Sequence, residues 1–238
     1  MTVSAVSESQ RRAARIAGLA WPISFFAVGA VSFAIFFPLD EIETAAGVAQ
    51  RVLADERLFR IGITGYLVNC VAIVVLAAAF YEILEPVDRM LALFAAFARL
   101  AWAFTWVVVT MNLFMVLRLF KDGQLALARL YLGGTAEQPI TETYYVGLLF
   151  WSLAAAVGGW LWFKSNYVPR ALAAFGMIAS AWCVACTFVY YIFPGFAKVV
   201  NLGWFDSPLV VFELALSGWL LFKGLRPSRM ASVIPVPL

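Results

Sequence analysis

The feature that most constrains this chain is a series of apolar runs long enough to cross a lipid bilayer. Residues 91–117, LALFAAFARLAWAFTWVVVTMNLFMVL, form the longest, and about 20 apolar residues suffice for a helical span. Composition agrees. Hydrophobic residues make up 64% of the 238 positions and charged residues 13%, against about a quarter charged in a soluble domain whose surface must meet water. The mean hydropathy is +0.90. Uninterrupted runs exclude the short alternating strands of a membrane β-barrel. The expected fold is all-α: a polytopic membrane bundle of about six transmembrane helices.

Taken in order, the spans fall at residues 14–37, 59–81, 91–117, 143–163, 171–193 and 208–222. The polar start, residues 1–13, reads as a cytoplasmic tail disordered through Gln10, residues 14–224 as the membrane domain and residues 225–238 as a second tail. Pro22 reads as lying near the start of the first helix, where a missing backbone donor costs least. Ala45–Ala54 and residues 124–132 read as short surface helices, the second ending at Gly133 and Gly134. The short turns at residues 82–90 and 164–170 make spans two and three, and spans four and five, antiparallel hairpins. Gly62, Gly65 and Asn69 suit close helix packing in span two, as do Ala154, Gly158 and Gly159 in span four. Arg60 lies at the entrance of span two, within reach of the headgroups. Six spans return both termini to one side. Arg11, Arg12 and Arg15 ahead of the first span then favour a cytoplasmic N-terminus in a bacterial inner membrane.

Two charges break the apolar pattern. Arg99 lies ten residues beyond Arg89, and Glu213 lies ten residues before Lys223. At 1.5 Å per residue both are about 15 Å from the same boundary, near mid-membrane. A charge there is costly and demands a partner. Opposite signs at equal depth predict a buried ion pair that makes the third and sixth spans neighbours, with rescue of single losses by charge exchange. Asn69, Asn112 and Thr110 extend the candidate polar centre. Trp102 and Trp106 share a helix face with Arg99, so an indole is expected over the guanidinium. Trp160, Trp162, Trp204 and Trp219 read as interfacial anchors.

Other chemistry is thin. Cys183 and Cys186 have CxxC spacing, but a membrane thiol–disulfide enzyme needs a second pair and only Cys70 remains, so packing is the expected role. There is no histidine, which removes the usual general base and the commonest metal ligand. Glu82, Glu85 and Asp88 read as a solvated turn. No metal or cofactor is expected, and no basic patch with interleaved aromatics suggests nucleic acid.

Five segments, LFRIG at residues 58–62, LEPVDRMLALFAAFARL at 84–100, GLLFW at 147–151, SNYVPR at 165–170 and ELALSGWLLFKG at 213–224, resemble those of a bacterial membrane protein family catalogued as domain of unknown function 4386. The resemblance runs from Arg12 to Gly224. It implies a six- or seven-helix inner-membrane protein with charges similar to Arg60, Arg99 and Glu213. Many members carry a histidine in the fourth span, a region held here by Ala154 or a neighbour. The reading that remains is a non-catalytic protein binding a hydrophobic small molecule or a membrane-protein partner within the bilayer. The alternatives are a small transporter or permease centred on the Arg–Glu pair and a lipid-modifying enzyme.

Overall fold

The computed structural model describes residues 6–40, 42–132, 139–193, 195–196, 199–200 and 203–227. Helix α1 (Glu8–Val31) runs through a π-helical turn (Ser32–Phe36) into the short α2 (Phe37–Asp40). Then come α3 (Ala45–Ala54), α4 (Glu56–Leu84), α5 (Arg89–Lys121), α6 (Leu125–Leu132), α7 (Pro139–Ser165), α8 (Arg170–Ile192) and α9 (Gly203–Phe222). The described residues show no strand. Six segments are long and apolar enough to cross a membrane: Glu8–Phe36, Glu56–Leu84, Arg89–Lys121, Glu142–Ser165, Arg170–Ile192 and Gly203–Phe222. Gly133 and Gly134 lie outside the described residues, as does the tail beyond residue 227.

The six long helices form a closed ring in chain order. Each packs on its predecessor and successor, and α9 returns to α1. The third and sixth spans, α5 and α9, therefore face each other across the ring and do not pack side by side, contrary to the sequence expectation. At the end where α4 begins and α5 finishes, here called distal, α3 and α6 pack together and bury Val48, Val52 and Ala128. Glu56 ties that end by accepting from Arg60 and Lys121, both at 2.8 Å.

The opposite, proximal end corrects the reading of a disordered start. Helix α1 begins at Glu8, because Ser7 and Gln10 form a reciprocal capping box that satisfies two otherwise orphaned backbone donors. The Gln10 side chain is buried and donates to the Ile83 carbonyl (2.9 Å) and to the Tyr167 hydroxyl (3.2 Å). The Arg226 backbone N–H donates to the Tyr167 carbonyl (2.9 Å). One glutamine and one tyrosine thus fasten the start of α1, both proximal hairpin turns and the exit from α9.

With α1 starting at Glu8, Pro22 lies well inside the helix. A proline cannot donate to the carbonyl four residues back, here that of Gly18. Ser217 of α9 supplies the missing donor through Oγ (2.8 Å). Gly18 permits the approach, since a Cβ there would stand 2.9 Å from Leu221 N and Cβ. Pro208, inside α9, repeats the arrangement. It frees the carbonyl of Trp204, and Trp182 of α8 donates to it from Nε1 (2.9 Å). In hydrocarbon, a freed carbonyl needs such a neighbour. Interhelical bonds of this kind are worth about 0.6 kcal/mol on average and about 1.7 at most. Ser217→Ala should cost about 1 kcal/mol in a detergent unfolding titration, and much less in a Pro22→Ala background, where the helix regains its own donor. Equal costs in the two backgrounds would refute this account.

Candidate functional site

The two mid-membrane charges meet inside the ring. Asp88 caps α5 by accepting from the Leu91 N–H (3.2 Å), which sets where the helix begins and so the depth of Arg99. Arg99 is 5% exposed and Glu213 2%. Arg99 Nη2 donates to Glu213 Oε1 (2.5 Å) and Nη1 to Oε2 (3.2 Å), the bidentate geometry that favours Arg over Lys.

Two tryptophans complete the carboxylate. Trp151 of α7 donates from Nε1 to Oε1 (2.9 Å), and Trp21 of α1 donates from Nε1 to Oε2. Glu213 thus accepts four N–H bonds from three other helices. An indole has a donor and no acceptor, so these rings suit an ionised carboxylate. Nothing in the apolar periodicity of α1 or α7 marks Trp21 or Trp151 as polar partners. The signal that could have found them is the acceptor capacity a lone guanidinium leaves unused.

The guanidinium rests on Phe80 of α4, 5.1 Å from the ring centroid, and not on the expected indoles. Trp102 instead stacks on Trp151 at 5.5 Å and 12°. Trp106 stands edge-on to Trp102 (5.5 Å) and to Tyr66 (5.1 Å), with Tyr144 against both tryptophans. Gly147 makes room, since a Cβ there would collide with the Trp102 ring. This aromatic plug fills the ring on the distal side of the ion pair. Tyr144 also donates to Asp206 of α9.

On the proximal side the packing is different. A narrow cleft lies between α4, α5 and α7, walled by Ala77, Ala92, Ala95, Ala96, Ala154 and Gly158. Tyr81 and Leu84 line its hairpin end, and Phe80 and Arg99 its deep end. Its free space is about 10 Å³, room for a single water, against the about 300–1,000 Å³ of ordinary small-molecule sites, so it is a closed seam of small residues and not a formed pocket.

The remaining candidates lie apart. Asn69 accepts from Ser24 Oγ (2.5 Å), while its Nδ2 has no partner among the described residues. Thr110 bonds back to the Trp106 carbonyl (2.7 Å). Asn112 is half-buried and makes none of the contacts of the centre. Arg60 is exposed and paired with Glu56. Cys70, Cys183 and Cys186 are buried free thiols. Trp162 is 1% exposed and packs edge-on to Phe80 at 5.6 Å, so it is a core residue and not an interfacial anchor. Among the described residues no group of three or more potential metal ligands comes together. Glu85 and Asp88 of the turn instead pair with Arg89 (3.6 Å) and Lys164 (3.9 Å).

Fold and centre together define a multi-pass helical membrane protein built round a buried Arg–Glu ion pair. The family described as Domain of unknown function (DUF4386) matches residues 16–224, and the chain belongs to it. Neither the curated proteins nor the solved structures contain a match to the chain. Arg99, Trp151 and Glu213, which meet at the centre, come from three of the segments that carry the family resemblance.

The geometry revises the expected mutational behaviour of the pair. Arg99→Ala or Glu213→Ala should each cost about 3–5 kcal/mol by stranding a buried charge, read as folded yield and unfolding midpoint in detergent. Charge exchange, Arg99→Glu with Glu213→Arg, should fail to rescue, because the new cation would face the two indole donors. Substantial rescue would mean that Trp21 and Trp151 do not hold the carboxylate.

Proposed function

We propose that this is a non-catalytic, intramembrane binding protein of a bacterial inner membrane, with its N-terminus in the cytoplasm. Its ligand is a slender amphiphile that enters from the proximal leaflet by parting the small-residue seam between α4, α5 and α7. The observation that carries this reading is the termination of an alanine- and glycine-walled cleft on a buried guanidinium. Small side chains make a seam that can part around methylenes, while the cation offers hydrogen bonds at the deep end.

Charge balance narrows the ligand. Two of the five guanidinium N–H groups go to Glu213, and that pair is already neutral. A second carboxylate would bring an uncompensated charge into hydrocarbon, which is costly. A neutral acceptor, such as an ester, ketone or alcohol oxygen, fits better. The aromatic plug beyond Arg99 favours a dead-end pocket over a permease, since a substrate would have to displace Trp102, Trp106 and Trp151. The four donors on Glu213 likewise favour binding over acid–base chemistry, because they occupy both oxygens that a substrate would have to reach.

The test fills the seam without touching the pair. A Cβ at Gly158 meets nothing closer than 3.8 Å, so Gly158→Ala adds a methyl there without a clash, and Ala96→Val adds bulk from the facing helix. Purified wild-type chain, analysed by native mass spectrometry, should bind a long-chain methyl ester more tightly than the corresponding free fatty acid. Both variants should lose the ester by tenfold or more while keeping the wild-type unfolding midpoint. Ester binding unchanged in both filled variants would sink the proposal.

A further inference from the structure

A second site lies outside the ring, where α1 and α9 meet at the proximal end. Arg11 and Arg15 stand one turn apart on α1, and Lys223 follows the last residue of α9. The three line one concavity of about 270 Å³ with Leu220, Leu221 and Phe222. Arg11, Arg12 and Arg15 also line the adjoining hollow, where Glu8 is the sole acidic residue. All four cations are exposed, and none forms an ion pair among the described residues. By contrast Arg60, Arg89, Lys121 and Lys164 each have a carboxylate within 4 Å.

The surface leading from these cations into the membrane is apolar and open. Ile16, Leu19, Ile23 and Phe26 follow Arg15 along α1, all exposed, and Phe222 beside Lys223 is 81% exposed. Helix α1 is the least enclosed span, with 17% of its apolar window buried against 39–56% for the others. Cations at the boundary with an uncovered apolar track beneath them match a phosphate headgroup with acyl chains attached.

We propose that Arg11, Arg15 and Lys223 form a binding site for the headgroup of an anionic phospholipid, whose chains lie along α1. The site is independent of the cleft in the ring, and its occupant is recognised by charge at the surface and not by a buried hydrogen bond. Close contact between α1 and α9, through Gly18 against Leu221 and Ser217 on the Gly18 carbonyl, holds the cations from the two helices together. A lipid bridging them would tighten the joint that closes the ring.

The experiment uses the full chain in detergent, titrated with phosphatidylglycerol or phosphatidylcholine of the same chain length and read by native mass spectrometry. Phosphatidylglycerol should bind more tightly. A membrane-adjacent cation contributes about fivefold in affinity for anionic lipid. The triple variant Arg11→Gln, Arg15→Gln, Lys223→Gln should therefore lose roughly a hundredfold. Arg11→Lys with Arg15→Lys should retain binding, and a distal control with Arg51→Gln, Arg57→Gln and Arg118→Gln should match wild type. These exposed side chains carry no packing, so each variant should unfold like wild type without lipid. Equal binding of the two lipids would overturn the proposal, as would an equal loss in the distal control. Thermal stabilisation by inorganic phosphate equal to that by phosphatidylglycerol would also overturn it, by assigning the site to the free anion.

Discussion

Everything in this bundle is arranged around the carboxylate of Glu213. An ionised carboxylate 2% exposed among apolar helices costs several kcal/mol to desolvate, and recovers that only if its oxygens find donors. Arg99 supplies two, Trp21 and Trp151 one each. Those donors belong to α1, α5 and α7, so satisfying one side chain on α9 fixes four helices relative to one another. Apolar packing alone could not do this. In lipid the tails are as apolar as the side chains, and helix association relies on close packing and interhelical hydrogen bonds. The carboxylate selects one arrangement from many of similar apolar burial.

The same rule operates at backbone level. Pro22 and Pro208 each leave a carbonyl without its helical donor, and in each case a side chain from the neighbouring helix donates to it. Pro22 adjoins Trp21, so the interruption in α1 occurs where its indole turns inward to Glu213. Ser217 is one helical turn beyond Glu213 on α9. The two contacts form a two-rung ladder between α1 and α9, the junction that closes the ring. Sequence position alone makes Pro22 look harmless. Its consequence shows only once the capping box of Ser7 and Gln10 has moved the helix start back to Glu8.

Much of this was legible in the amino-acid order, for a physical reason. Apolar length gives the spans, and rise per residue gives the depth of Arg99 and Glu213, because a straight helix converts counting into distance. Both quantities run along one helix. What was not legible runs between helices. Equal depth says that two charges can meet, not whether their helices adjoin or reach across a ring. A tryptophan in an apolar run carries no mark to distinguish a core ring from a donor, so Trp21 and Trp151 were invisible as partners and Trp102 looked like the cap that Phe80 provides. The buried Gln10 was lost to a polar-tail reading for the converse reason. Its partners are a backbone carbonyl and a tyrosine hydroxyl from two distant turns.

The two halves of the ion pair differ in a way that bears on function. Glu213 is saturated and enclosed by indoles. Arg99 spends two of its N–H groups on the carboxylate, lies on an aromatic face and borders a cleft whose walls are alanine and glycine. A purely structural clasp would be best served by equal enclosure of both partners, since bulky side chains around the guanidinium would exclude water and strengthen the pair. Here the distal side is filled with the rings of Trp102, Trp106 and Tyr144, while the proximal side is closed by the small side chains of Ala92, Ala95, Ala96, Ala154 and Gly158. The proposed binding role rests on that asymmetry, more than on the presence of a charge in the membrane.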